Sequence, residues 1–326
     1  MFHSLFRTLA LFAVTLALPI PSAAKLPHDQ EAPRVGVQAK VETLSQRDAD
    51  AIAQAGFGFV RFGIWTNLVD DPVYMRRVAS AFRAAAHARL PVLLTMRSTA
   101  PLTDPGDSSD ARLMAEGRRF GMQVTAIARQ YASQLVGIEL WNEPDLDRYW
   151  PTGDVATTFP VFMQGVCGEL AAASRQTRIF GFGFSRAPVG ANAASSLLRS
   201  ALSASPHCID AVSYHAYGMT PSQIRDVARE VREKYAMPAL ITEWGVPSQG
   251  SAARNPAAQA SGIASFIASL RGLDVPLVSI YEWKDTASAR TARERSFGLV
   301  DATGAEKPAL DRIRAYFAAD SGSRGR

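Results

Sequence analysis

From residue 34 onward, short apolar or β-branched runs alternate with longer stretches in which apolar residues recur at spacings of three and four. The short runs fall at 34–40, 57–64, 91–96, 136–142, 178–184, 208–215, 238–242 and 276–283. The longer stretches predict helices over 48–55, 74–89, 112–133, 159–174, 193–203, 221–235, 256–270 and 308–318. Pro221 suits a first helical position, where no backbone donor is lost. Alternation of this kind is the pattern of βα units and a parallel sheet. Eight strand–helix repeats in roughly 300 residues fit an α/β protein with a single closed (β/α)8 barrel, the TIM barrel. An open doubly wound sheet would announce itself with a Gly-rich turn after the first strand, and Val35-Gly36-Val37-Gln38-Ala39-Lys40 offers none. The segments 102–111 and 247–255 are rich in Ser, Gly, Pro and Asp and follow strands, so they belong to the barrel face where active sites are built.

The segment ahead of the first repeat changes the expected location. Residues 1–24 read as a secretory leader, with Arg7 in a short basic region, an apolar run from Leu9 to Ile20, Pro19 and Pro21, then Ser22-Ala23-Ala24. The apolar run is too short for the roughly 20 residues that span a bilayer, so cleavage after Ala24 is expected, and no later stretch is long and apolar enough to cross a membrane. The expected organisation is a leader at 1–24, one barrel domain at 25–319 and a flexible tail at 320–326. The expected product is an exported monomer, periplasmic or secreted.

Formal charge is +5 over 326 residues, and loss of Arg7 with the leader would leave +4. Lys and Arg form no cluster interleaved with aromatics, which argues against nucleic acid as a partner. The excess positive charge is compatible with an acidic polysaccharide. Cys167 and Cys208 both sit in apolar contexts, and the sequence leaves open whether they form one bridge or two buried thiols. No metal-ligand spacing is present, and no cofactor is implied.

The strongest local chemistry is Glu139-Leu140-Trp141-Asn142-Glu143-Pro144-Asp145, at the end of the fourth predicted strand. A second carboxylate closes the seventh, in Leu240-Ile241-Thr242-Glu243-Trp244-Gly245. Two carboxylates at strand ends of one barrel mouth can divide the work of glycoside cleavage: one protonates the leaving oxygen and the other meets the oxocarbenium-like centre. A solvated turn residue is the plain alternative for Glu143 taken alone. Glu139 and Glu282 also lie near this mouth, and Glu139 reads as a buried carboxylate paired with an arginine, because a buried charge needs a partner.

These two motifs together resemble the clan A glycoside hydrolases, families 39 and 5 in particular. The resemblance implies a retaining β-glycosidase acting on a poly- or oligosaccharide, with Glu143 as acid/base and Glu243 as nucleophile. It further implies that Asn142 holds the sugar 2-hydroxyl. Ser213-Tyr214-His215-Ala216-Tyr217 resembles the clan's His-x-Tyr element, so that Tyr217 would hydrogen-bond Glu243 and His215 would line the site. Arg61, in Phe59-Val60-Arg61-Phe62, matches the arginine beside the nucleophile and would keep it ionised. Trp283, in Ile280-Tyr281-Glu282-Trp283, matches the aromatic beneath the reacting sugar.

In place of the histidine that several clan members carry near the end of strand three, this chain has Thr95-Met96-Arg97-Ser98. Arg97 is a candidate for substrate hydroxyls or an acidic group, with a structural ion pair as the alternative. All five tryptophans, Trp65, Trp141, Trp150, Trp244 and Trp283, fall at predicted strand ends or just beyond them, which favours a cleft offering flat apolar faces to sugar rings. Trp65, Trp150 and Trp244 therefore join the expected substrate-binding set. Two other functions compete: a catalytically silent polysaccharide-binding barrel in an exopolysaccharide system, and a phosphate-handling barrel enzyme. The second would want a Gly-rich anion site after strands seven and eight, which the sequence lacks.

Overall fold

A computed structural model describes residues 33–104, 106, 109–173, 176–251 and 254–324; the expected leader lies outside them. Eight parallel strands close into a barrel in chain order: β1 (Arg34–Gln38), β2 (Phe59–Trp65), β3 (Val92–Arg97), β4 (Leu135–Leu140), β5 (Ile179–Phe184), β6 (Ala211–His215), β7 (Ala239–Trp244) and β8 (Leu277–Ile280), with β8 pairing back onto β1. The helices between and after them are α1 (Gln46–Gln54), α2 (Pro72–His87), α3 (Asp110–Gln130), α4 (Val155–Ala172), α5 (Ala193–Ala204), α6 (Pro221–Tyr235), α7 (Pro256–Ser269) and α8 (Pro308–Arg324). The expected (β/α)8 barrel is thus the observed one.

Helix starts follow from local chemistry. Ser45, Asn192 and Thr220 accept from the third amide of α1, α5 and α6 in reciprocal capping boxes, while Asp71 and Asn255 cap α2 and α7 ahead of a proline. Two helix bounds differ from expectation. The Asp154 side chain caps α4, which begins at Val155 and runs through Pro160 instead of starting beside it. The last helix continues past Ala318 to Arg324, into the segment read as a tail. Among the described residues no helix is long and apolar enough to cross a membrane.

Strand alternation divides the side chains between the barrel interior and the helical shell. Deep in the barrel, Phe59, Leu93, Phe180, Ala211, Leu240 and Leu277 form a separate apolar cluster. Two glycines make room for its aromatic rings: a Cβ on Gly36 would meet the Phe59 ring, and one on Gly137 the Phe180 ring, each at 2.4 Å. Two residues further along the strands the buried side chains turn polar, with Arg61, Thr95, Glu139, Ser213, Thr242 and Ser279. An apolar plug below and a polar layer above leave the barrel's chemistry at one mouth.

Cys167 of α4 and Cys208, just ahead of β6, are joined in a disulfide with a sequence separation of 41. Of the two states the sequence left open, the structure contains the bridge. It ties the shell to the sheet across β5 and α5. Replacing both cysteines by serine is expected to lower unfolding free energy by about 2–4 kcal/mol, the range for closing a loop of this length. Denaturant melts of the double variant, or of the native chain with and without reductant, measure the loss.

Candidate active site

Arg61, near the middle of β2, is 1% exposed and lies beneath the barrel mouth. Its guanidinium donates through Nε and Nη2 to Glu139 Oε2 at 3.2 and 2.6 Å, through Nη1 to Glu243 Oε1 and Gln38 Oε1 at 2.6 Å each, and through Nη2 to Asn142 Oδ1 at 2.9 Å. Burial alone would weaken its charge, but Glu139 and then Glu243 outweigh that and hold it more firmly protonated than a free arginine. Glu139 is fully buried. Burial opposes its ionisation too, yet the charges of Arg61 and His215 and the Arg61 hydrogen bonds prevail, and its pKa falls below the usual carboxylate range; Thr95 also donates to it at 2.8 Å. Glu139 is therefore the arginine-paired structural carboxylate that its strand position suggested.

Glu243 faces the mouth because β7 carries a bulge. Leu240 and Thr242 alternate into the interior, which by strict alternation would aim Trp244 inward next. The pairing with β6 steps from Tyr214↔Ile241 to His215↔Glu243, one extra residue on β7, and the bulge delivers Glu243 to the interior level with His215. Trp244 is thrown outward and stacks on Phe266 of α7, with ring centroids 3.6 Å apart.

The acid/base candidate is positioned by a different device. At the end of β4, Trp141 and Glu143 take left-handed backbone with φ of 76° and 54°, each at a cost of roughly 1–2 kcal/mol. The turn is held by the Trp141 amide on Met96 O and the Glu143 amide on Gly183 O, both at 2.8 Å. Trp141 swings out among Phe120, Trp150 and Phe162, while Glu143 stands over the barrel axis.

His215 joins the two carboxylates, its Nδ1 being 2.9 Å from Glu143 Oε1 and 3.5 Å from Glu243 Oε2. Burial disfavours the imidazolium, but Glu243 and the Glu143 hydrogen bond overcome it, and the pKa of His215 is raised. The Tyr217 hydroxyl donates to Glu243 Oε2 at 3.0 Å, and burial together with the Glu243 charge raises its pKa well above 10, so it remains a donor.

Glu143, His215 and Glu243 each offer a ligand atom, all within 4.8 Å of one another, a set no sequence spacing could reveal because it comes from three strand ends. Those atoms are already committed to one another. A cation there would have to displace the proton of an imidazole whose surroundings favour keeping it.

The cleft above these groups measures about 350 Å³ and is lined by Asn142, Glu143, Tyr217 and Glu243 together with Gln38, Trp65, Arg97, Tyr149, Tyr281 and Phe297. Of the tryptophans expected to line it, only Trp65 does. Trp150 is 2% exposed and packs against Trp141, Phe159 and Phe162, with its indole N–H on Thr158. Trp283 lies beyond the end of β8, donates its indole N–H to Asp48 of α1 at 3.1 Å, and borders a separate pocket of about 290 Å³ beside Lys40, Glu282 and Lys284. Clustering in sequence at strand ends did not mean clustering in the cleft. A bulge, a left-handed turn and a strand that stops early each send an indole outward or sideways.

The aromatic surface of the cleft is instead mainly tyrosine and phenylalanine. Tyr281, which continues the inward alternation of Leu277 and Ser279, meets Phe297 and Tyr217 edge to face at 5.4 and 6.2 Å, on the side where Trp283 was expected. Strand alternation in β8 was the signal for Tyr281, as it was in β1 for Gln38.

A (β/α)8 barrel with two carboxylates converging at its C-terminal mouth is the class that fold and site define. Neither a family model nor a curated relative matches the sequence. Among solved structures, the chain is similar to a family 39 glycoside hydrolase from the gut symbiont Bacteroides cellulosilyticus WH2, with a TM-score of 0.66 and 16% identity over 89% of this chain and 64% of that one. It is also similar to an exo-β-1,4-mannosidase from Opitutaceae bacterium strain TAV5, with a TM-score of 0.64 and 17% identity over 94% of this chain and 63% of that one. A family 39 β-xylosidase from Caulobacter crescentus gives a TM-score of 0.65 and 18% identity over 90% and 73%. The chain spans just under two thirds of the first two, and at these identities the likeness shows the fold.

Two outcomes follow from the charge network. Arg61→Met leaves Glu139 buried without its paired cation and is expected to cost about 3–5 kcal/mol in denaturant unfolding, far more than a surface pair. His215, whose folded pKa is raised above the unfolded value of 6.5, contributes stability that is complete below 6.5 and lost as pH rises through the folded value. The stability gap between the native chain and His215→Asn should therefore narrow as pH rises above 6.5. A gap constant over that range would mean that folding leaves the imidazole pKa unshifted.

Proposed function

We propose that this chain is an exported retaining β-glycoside hydrolase that cleaves O-glycosidic bonds of a poly- or oligosaccharide by double displacement. The reading is carried by one observation: Glu143 and Glu243 face each other over Arg61, with a carboxylate oxygen of each within 4.8 Å of the other. Retaining enzymes hold their two carboxyl groups about 5–5.5 Å apart, while inverting enzymes need about 6.5–9.5 Å to admit a water. Structural neighbours that are glycoside hydrolases of families 39 and 5 support the same class.

In the first step Glu143 gives its proton to the leaving oxygen as the glycosidic bond breaks, and a Glu243 carboxylate oxygen bonds to the anomeric carbon to form a glycosyl ester. Arg61 on Oε1 and Tyr217 on Oε2 hold Glu243 in one orientation. His215 donates to Oε1 of Glu143 and leaves Oε2 to carry the mobile proton. In the second step Glu143, now ionised, takes a proton from water as its oxygen attacks the same carbon; the ester bond breaks and Glu243 is regenerated. Two cations, Arg61 and protonated His215, then face two anions, Glu139 and Glu243, whenever Glu143 carries its proton.

Export is supported by the Cys167–Cys208 bridge, since disulfides persist mainly in oxidising compartments.

Glu243→Gln is expected to abolish turnover while leaving the melting temperature close to that of the native chain. Glu143→Ala should lose about 10²–10⁴-fold on glycosides with poor leaving groups and much less on activated aryl glycosides. Proton NMR of the first product should show the substrate's anomeric configuration. Full activity in Glu243→Gln would overturn the assignment, an inverted first product would overturn retention, and saturable oligosaccharide binding with no product after long incubation would make the chain a silent binding barrel.

A further inference from the structure

The cleft holds a guanidinium that no described carboxylate pairs with directly, although the charges of Glu143 and Glu243 act on it favourably. Arg97 ends β3, is half-buried, and has no hydrogen-bond or ion-pair partner among the described residues. It lies 4.9 Å from the ring centroid of Trp65 on one element and 5.0 Å from that of Tyr149 on another. Contact with ring faces satisfies the flat π surface of a guanidinium and fixes its plane, but it uses none of the five N–H donors, which point outward along the edges.

Every carboxylate on the cleft wall is engaged elsewhere. Glu243 is held by Arg61 and Tyr217, Glu143 by His215, Glu42 accepts from the Trp65 indole, and Glu294 accepts from the Thr291 amide. Two more guanidinium groups reach the same rim over aromatic faces, Arg148 at 4.8 Å from Tyr149 and Arg293 at 5.0 Å from Phe297. Burial lowers the pKa of Arg97, a desolvation cost that an incoming anion would offset.

We infer that the cleft selects an anionic glycan, with the fixed, unpartnered fork of Arg97 receiving the carboxylate of a uronic-acid residue at or next to the bond to be cleaved. The inference rests on the proposed function for the presence of a sugar in this cleft. A planar carboxylate matches the guanidinium fork with two parallel N–H···O bonds, which a neutral hydroxymethyl group at the same ring position cannot form. Arg148 and Arg293, on the exposed rim, add long-range attraction that salt should screen.

The test uses a uronate-containing oligosaccharide and its carboxyl-reduced twin, identical but neutral, titrated calorimetrically into the full chain carrying Glu243→Gln. The acidic form should bind tighter by about tenfold or more, the size expected of hydrogen bonding to a charged group. Adding Arg97→Gln should shrink that gap to about twofold or less, while Arg97→Lys, which keeps the charge and loses the fork, should hold part of it. Arg229→Gln, on the exposed face of α6, should leave the gap intact. Equal affinity for the two glycans, a gap that survives Arg97→Gln in a protein with a native melt, or a gap found only with a sulfated glycan would each overturn the inference. Absence of product from the native chain with the affinity gap intact would count against hydrolysis and for this charge preference.

Discussion

A single buried cation organises the barrel mouth. Arg61 bonds at once to Glu139 below it, to Gln38 and Asn142 at its sides, and to Glu243 above. Ions in a protein interior cost several kcal/mol each to desolvate, and that cost is offset only when geometry is close and the remaining donors are used. Here four donor bonds of at most 2.9 Å run from the two terminal nitrogens and a longer one from Nε. With its plane locked, the guanidinium fixes where Oε1 of Glu243 must lie, and the Tyr217 hydroxyl fixes Oε2. The position of the mouth's chemistry therefore depends on the polar layer beneath it as much as on the residues that face the cleft.

The same principle in reverse describes Arg97. Where Arg61 is saturated by the protein, Arg97 is stacked but left unbonded, and two arginines on one barrel mouth thus serve opposite ends: one orders the protein, the other is left for something that enters. Both lie on the interior side of their strands, and only the supply of carboxylates separates them.

The architecture was legible because it rests on periodicity, which a chain carries locally. The eight strands begin within three residues of their expected starts, and Pro221, Pro256 and Pro308 each open a helix where the pattern placed it. Arg61, Asn142, Glu143, His215, Tyr217 and Glu243 were legible through short motifs at strand ends, and the structure brings all six to one mouth. Trp150, Trp244 and Trp283 were misplaced for a reason that is also local. Position along a strand says how high a residue stands, but which way it points depends on every bulge and left-handed residue before it, and those are set by pairing with neighbours far away in sequence. The Cys167–Cys208 bridge was undecidable for a similar reason: it requires knowing that α4 packs beside the entry to β6.

The bulge in β7 is one residue of slack, and it alone decides whether Glu243 or Trp244 looks into the barrel. Strict alternation through 242–244, with every residue kept, would turn the carboxylate out and a flat indole in, whereas loss of the one extra residue between Ile241 and Glu243 would absorb the slack and leave Glu243 opposite His215. What the mouth contains is thus set by the register of β7 and not only by the identity of its residues.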